Sequence, residues 1–354
     1  MMTLSMGGGV SDEGTPPEVL PLHVELARPE VVVEEVDDLF RRSGRVGFQA
    51  FSERSYGGTG EWATQCVIAR NAEERVFMHL GLLPRTFRSP DQDGERTGVG
   101  LRAALVMDLI SDAAHRDFWS PISFVRQAVD LLRSQGRYDF LYTDPGATTF
   151  GILRAAGFSV MASLSRYVLP LVPDRLAAFS AREEVEGLEA EVISWSEGLF
   201  LANQLTHLTP GKTFFIRHSD TFLKSRAWSW LTPSPDWLAF RKPDAAAGEG
   251  PVALLLALPI LDARTLSIVD LRWDVGGVAF ESVLSAAARV ARKQGFRKLD
   301  LRVMSNSSAA DALRRCGFRM REGDHPILTR LLRDDLELPP ASEWTLTWLD
   351  ASAW

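Results

Sequence analysis

Residues 104–111 read ALVMDLIS, with Leu105, Met107 and Leu109 on one side of an extended chain and Ala104, Val106, Asp108 and Ile110 on the other. Both sides are mostly apolar, which predicts a strand covered on both faces. Ile122, Val125, Val129 and Leu132 then recur at helical spacing, with Pro121 suited to a first turn and Gly136 to a left-handed stop. A crossover helix is predicted there. A second strand follows at 138–143 (YDFLYT), and Asp144 and Pro145 open a short helix that Gly157 ends before a strand at 158–169. A right-handed crossover makes 104–111 and 138–143 parallel neighbours.

The same order returns later in the chain. LSIVDLRW (266–273) predicts a strand, 278–294 a helix, KLDLRVM (298–304) a strand, and a short helix ends at Gly317. LRAAGF at 153–158 is answered by LRRCGF at 313–318, an offset of 160 residues. Ser308 and Asp311 stand three apart, as a capping box requires. Ahead of each crossover lie two more strand patterns, 63–70 with 75–88 and 236–243 with 251–260, read as antiparallel meanders, and helix patterns at 34–42 and 196–207 open the copies. The predicted organisation is a disordered lead (1–20), a first domain (21–172), a linker (173–187) and a second domain with a C-terminal tail (188–354).

The length of 354 residues suits two domains, and 45% hydrophobic with 24% charged residues predicts that most of the chain folds. A net charge of −7 weighs against nucleic acid and anionic membranes and favours a small-molecule ligand; a protein partner or a homo-oligomer stays open. Cys66 and Cys316 are the only cysteines, so neither a disulfide framework nor a zinc site is signalled. The longest apolar run, 252–261, falls short of the roughly 20 residues of a membrane helix. The N-terminus lacks the pattern of a secretory signal, and a cytoplasmic location is expected.

In order along the chain, GLLPRTFR (81–88), LRAALVMDLISD (101–112), HRD (115–117), YDFLYTDP (138–145), LRAAGF (153–158) and SRYVLPL (165–171) resemble the landmarks of the GNAT (N-acetyltransferase) superfamily. They are most similar to bacterial GNAT-like proteins encoded with cell-envelope or polysaccharide genes. The closing WTLTWLDASAW (344–354) looks like that group's C-terminal tail. The resemblance implies a mixed α/β (α+β) fold of two tandem GNAT-like domains. Each would be a twisted, mostly antiparallel sheet flanked by helices, with a parallel pair splayed between the family's fourth and fifth strands, β4 and β5, here 104–111 and 138–143. It implies that the pantetheine arm of acetyl-CoA or another acyl-CoA enters the splay beside Leu109, Ile110 and Ser111, and that the acyl group passes to a small-molecule amine.

The family's diphosphate motif, (Gln/Arg)xxGx(Gly/Ala), uses glycines so that backbone amides can approach a phosphate. It falls on RDFWSP, where Arg116 fits but Asp117 adds a negative charge and Trp119 and Pro121 replace the small residues. In the second copy it falls on RWDVGG, which keeps Arg272, Gly277 and the neighbouring Gly276. Tyr142 is placed to protonate a leaving thiolate and Asp144 ends the same strand; against these stand a half-buried tyrosine and a helix cap. Asp108 recurs as Asp270, which favours a scaffold acceptor over a single base. His79 reads as a core histidine and His115 as a loop residue, while Trp228, Trp230 and Trp237 serve either as core anchors or as a sugar-stacking wall. Three functions fit: an acyl-CoA-dependent N-acyltransferase acting on an amine such as an amino sugar, a degenerate GNAT-like scaffold with damaged loops, or a Fem-type transferase using aminoacyl-tRNA.

Overall fold

A computed structural model describes residues 22–45, 64–88, 100–113, 119–173, 187–205, 215–216, 236–246, 249–273, 277–305, 307–321, 325–341 and 344. The lead 1–20, His115, Arg116, Asp117, Trp228, Trp230 and Gly276 lie outside them, as do the interior of the linker 173–187 and the tail after Trp344.

The first half runs β1 (His23–Ala27), α1 (Pro29–Arg42), β2 (Gln65–Arg70), β3 (Val76–Arg88), β4 (Gly100–Ser111), α2 (Trp119–Gln135), β5 (Phe140–Thr143), α3 (Ala147–Ala155) and β6 (Ser159–Pro170). The second runs β7 (Glu189–Ile193), α4 (Trp195–Leu205), β8 (Phe215–Ile216), β9 (Asp236–Arg241), β10 (Ala253–Ile260), β11 (Thr265–Trp273), α5 (Phe280–Lys293), β12 (Lys298–Met304), α6 (Ser308–Arg315), β13 (Arg319–Met320) and β14 (His325–Leu331). The repeat is visible in the backbone: Gly136, Gly157, Gly295 and Gly317 all take positive φ at the ends of helices.

Three helix ends differ from the sequence expectation. α1 starts at Pro29 rather than near residue 34, because proline pre-sets the first turn and Val32, Val36, Leu39 and Phe40 share one buried stripe. Gly146, not Asp144, is the N-cap of α3, and it supplies no side-chain cap. Ser307, one residue before the predicted position, caps α6 by accepting the Ala310 amide.

All fourteen strands among the described residues belong to one sheet, ordered β1-β2-β3-β4-β5-β14-β6-β12-β11-β10-β9-β7, with β13 beside β6 and β8 beside β3. Only the pairs β4–β5 and β11–β12 are parallel among the described pairings; the rest are antiparallel. The last strand of each half sits in the other. β14 lies between β5 and β6, while β6 pairs with β12 along the whole of Lys298–Met304.

One core extends along a single face of both halves, joining Leu39, Phe87 and Tyr142 to Trp237, Leu254 and Val269 under α1 and α4. On the opposite face each half has its own: Leu80, Phe124 and Leu153 under α2 and α3, and Leu255, Val283 and Leu313 under α5 and α6. Trp344 is buried in the shared core against Phe87 (4.8 Å) and Phe140 (5.8 Å), so the chain returns to the first half at its end. Among the described residues no helix is long and apolar enough to cross a membrane.

Candidate functional site

β4 and β5 are in register only from Ala103–Phe140 to Leu105–Tyr142, and β4 then continues to Ser111 paired with β3 but not with β5. The divergence has a local cause. Between Gly81 and His79 the pairing of β3 with β4 slips, and Asp108 takes φ +50, a left-handed conformation rare outside glycine. The bulge turns the end of β4 away from its parallel neighbour. His79 supports it from below, its Nδ1 lying 3.0 Å from the Asp108 carbonyl, while burial pushes its pKa down to about 4 against the opposing pull of that hydrogen bond. The neutral ring therefore donates from Nδ1.

Beyond the last paired residues opens a cavity of about 500 Å³. Leu109, Ile110 and Ser111 form its β4 wall, with Met78 of β3 beside them. Ser43 and Arg45, just past α1, line it from the shared-core face, and Pro121 of α2 with Thr148, Thr149 and Ile152 of α3 line it from the other. The cavity thus lies at the splay, lined by residues from elements on both faces of the sheet. Its ceiling is polar where two helices begin, since α3 has no side-chain cap and its first amides are left for a ligand or solvent. Arg45 is the one charged residue among the described lining residues. Its neighbour Arg42 is engaged with Asp112, Asp38 and the Val76 carbonyl, and Ser43 Oγ donates to the Ser111 carbonyl at 3.1 Å.

Three expected cofactor residues, Leu109, Ile110 and Ser111, are thereby brought together on one wall. Trp119 is the first residue of α2 and is 41% exposed. Tyr142 and Asp144 are 1% and 7% exposed and are not among the described lining residues; the Tyr142 ring packs edge-on against Phe87 at 5.4 Å. Cys66 is fully buried, and burial, with Glu30 and Glu25 adding to it, pushes the thiol up to about 12, which disfavours the thiolate.

The equivalent region of the second half is built differently. Arg272, expected at the start of a phosphate loop, lies inside β11 and forms a buried ion pair with Asp270 at 3.3 Å, because the apolar pattern carries the strand on to Trp273. Trp273 stacks on Phe280, the first residue of α5, at 4.7 Å and 24°. The strand end and helix start that hold Ser111 and Trp119 in the first half hold two packed rings here. Gly277 lies in the turn before α5.

No family model and no curated protein matches the sequence. Solved structures do. A probable N-acyltransferase of unknown function from Enterococcus faecalis V583 superposes with a TM-score of 0.64 at 11% identity, over 88% of this chain and 72% of that one. A GCN5-related N-acetyltransferase from Anabaena variabilis gives 0.63 at 12% identity, over 88% and 73%. A tandem GNAT protein from the clavulanic acid biosynthesis pathway gives 0.52 at 12% identity, over 88% and 99%. The chain has the tandem fold of the GCN5-related N-acetyltransferases. Its mostly antiparallel sheet with a splayed parallel pair, read from the sequence as a GNAT arrangement, is present in both halves.

Within this GNAT fold, sequence reasoning missed Ser43, Arg45, Thr148 and Thr149. The threonines carried a usable signal, since they follow Pro145-Gly146 at the start of a helix after a parallel strand. Ser43 and Arg45 carried none, because only the packing of α1 against β3 and β4 brings them to the splay.

Proposed function

We propose that this protein is an N-acyltransferase that takes its acyl group from acetyl-CoA or another acyl-CoA and passes it to a small-molecule amine such as an amino sugar, using the first half. The observation that carries this reading is the cavity at the splay, lined by Leu109, Ile110 and Ser111. A ligand's amide chain along β4 would satisfy backbone groups that β5 no longer reaches. Met78, Leu109 and Ile152 offer apolar contact to an alkyl arm, and Arg45, the threonine hydroxyls and the uncapped amides of α3 favour an anionic group. Pro121 offers no amide, so α2 contributes fewer donors than a glycine-bearing loop. Trp119 presents a ring for stacking at the same helix end, while Tyr142 and Asp144 hold the end of β5.

The amine nitrogen attacks the thioester carbonyl from the face opposite the cofactor, the new C–N bond forms as the C–S bond breaks, and the proton lost by the amine is taken up by the departing thiolate. The reducing cytoplasm is the proposed compartment, in keeping with two buried cysteines that form no disulfide with each other. For the second half, the Trp273–Phe280 stack favours a supporting role.

Titration calorimetry and thermal shift with acetyl-CoA test the proposal. Binding at one site per chain with a raised Tm is the expected result. No shift at millimolar acetyl-CoA overturns it in favour of a scaffold, and salt-sensitive tRNA binding in its place would point to the aminoacyl-tRNA reading.

A further inference from the structure

On the α2–α3 side of the cavity, residues 328–333, which belong to the second half, contact α2, the start of β5 and the end of α3. Leu328 and Leu332 are buried in the core beneath α2 and α3. The Leu332 amide donates to the Asp139 carbonyl at 3.0 Å, and its own carbonyl accepts from Arg133 Nε near the end of α2 at 3.3 Å. Arg333 reaches the buried Asp139 carboxylate at 3.3 Å, which also takes the Arg102 amide at 2.7 Å and so spans β4 and the start of β5. Burial alone would raise the Asp139 pKa, but the hydrogen bonds from Arg102, with Arg333 adding to them, hold it below the ordinary carboxylate value.

The contact with the most leverage is Arg330. On β14 it stands opposite Leu141 of β5, and its guanidinium donates to the Gly157 carbonyl at 2.8 Å, at the C-terminal end of α3. Gly157 has φ +92, and a Cβ placed there would come within 2.6 Å of the Arg330 guanidinium, so the approach is as close as the backbone permits. Arg330 Nε is buried with no acceptor among the described residues, an arrangement that burial penalises and that a purely solvating role would not require. α3 is short and stiff. Fixing its C-terminal end fixes its other end, about 12 Å away, where Thr148 and Thr149 stand on the cavity wall, with Ile152 one turn further along the same helix.

We infer that Arg330 is a positioning residue for the first-half cavity: carried in by the last strand of the second half, it sets where α3 stands and so the shape of the ligand wall. Its effect on ligand affinity rests on the proposed acyl-CoA function, whereas its effect on α3 does not. The test uses the full chain and compares Arg330→Met and Arg330→Lys with a control, Arg166→Met, which breaks the buried ion pair with Asp300 at the β6–β12 seam.

Hydrogen exchange without ligand is read first. Arg330→Met should speed exchange of the α3 amides by about tenfold while those of α5 keep their rates, and Arg330→Lys, which retains a donor, should restore much of the protection. Acetyl-CoA affinity should fall about tenfold in Arg330→Met and stay at the wild-type value in Arg166→Met even if the latter lowers Tm more. Unchanged α3 exchange in Arg330→Met, or equal acceleration in α3 and α5, overturns the inference. If Arg330→Met does not fold, Gly157→Ala displaces the same guanidinium and is judged by the same exchange pattern. Wild-type protein that fails to bind acetyl-CoA removes the functional proposal and leaves the exchange result to decide this one.

Discussion

At the ends of β4 and β11 the two halves meet the same geometric problem and fill it differently. Each strand carries a bulge, diverges from its parallel neighbour and leads into a helix. In the first half the strand ends in Ser111, whose small side chain leaves room for a cavity of about 500 Å³. In the second it ends in Trp273, stacked on Phe280. A repeated aspartate shows the same divergence: Asp108 has a left-handed backbone at the bulge, whereas Asp270 is buried and paired with Arg272. Duplicated topology therefore preserves the splay without preserving the cavity.

The sharpest way to break the comparison is to exchange its deciding residue. Ser111→Trp should fill the first splay and abolish acetyl-CoA binding in calorimetry, a loss of at least about 100-fold. Trp273→Ser should leave the wild-type site and its stoichiometry of one intact. A second strong site appearing in Trp273→Ser would show that the ring stack alone separates the halves.

The next largest effect concerns how far the halves share a core. Trp344 packs on Phe87 and Phe140, and its indole donates to the Pro339 carbonyl at 2.9 Å. Trp344→Ala should cost about 3–5 kcal/mol in urea unfolding. A single cooperative transition with a lowered midpoint is expected; loss of the first half alone, with the second still folded, would mean that the halves are energetically separate.

A smaller effect should separate them by pH. His79 has a folded pKa of about 4, below the ordinary 6.5, so between those values the unfolded chain binds a proton that the folded one refuses. Stability from this source is complete above pH 6.5 and is lost as pH falls towards 4, on the order of 3 kcal/mol over the whole window. Asp139, held below the ordinary carboxylate value, adds a further loss only at still lower pH. β10 of the second half reads ALLLALPI and has no titratable counterpart to His79. Unfolding free energies at pH 5, 6 and 7 should fall with acidity in the wild type, and more shallowly in His79→Gln. Equal slopes would remove His79 as the cause.

Local pattern was enough to find the repeat, because the apolar alternation of 104–111 and 266–273 and the glycine stops after each helix are properties of neighbouring residues. It read 266–273 as a strand and also set Arg272 at the start of a phosphate loop, and the strand pattern is the one the backbone follows: Arg272 is the penultimate residue of β11 and pairs with Asp270. It placed Tyr142 on the correct strand but could not see Phe87 and Trp344, which arrive from elsewhere to bury it. The exchange of β6 and β14 left no local trace at all. Either strand fits either slot by hydrophobic pattern, and only the course of the backbone after α3 and α6 decides between them.

That exchange also dictates an order of events during synthesis. When residue 170 leaves the ribosome, β6 is complete but its partner β12 ends 134 residues later, at Met304, and the strand that must separate it from β5 is β14, which ends at Leu331. Until then both β5 and β6 present an open hydrogen-bonding edge. A strand order of this kind leaves the nascent first half with an unclosed sheet, open to wrong strand partners, until translation is nearly over.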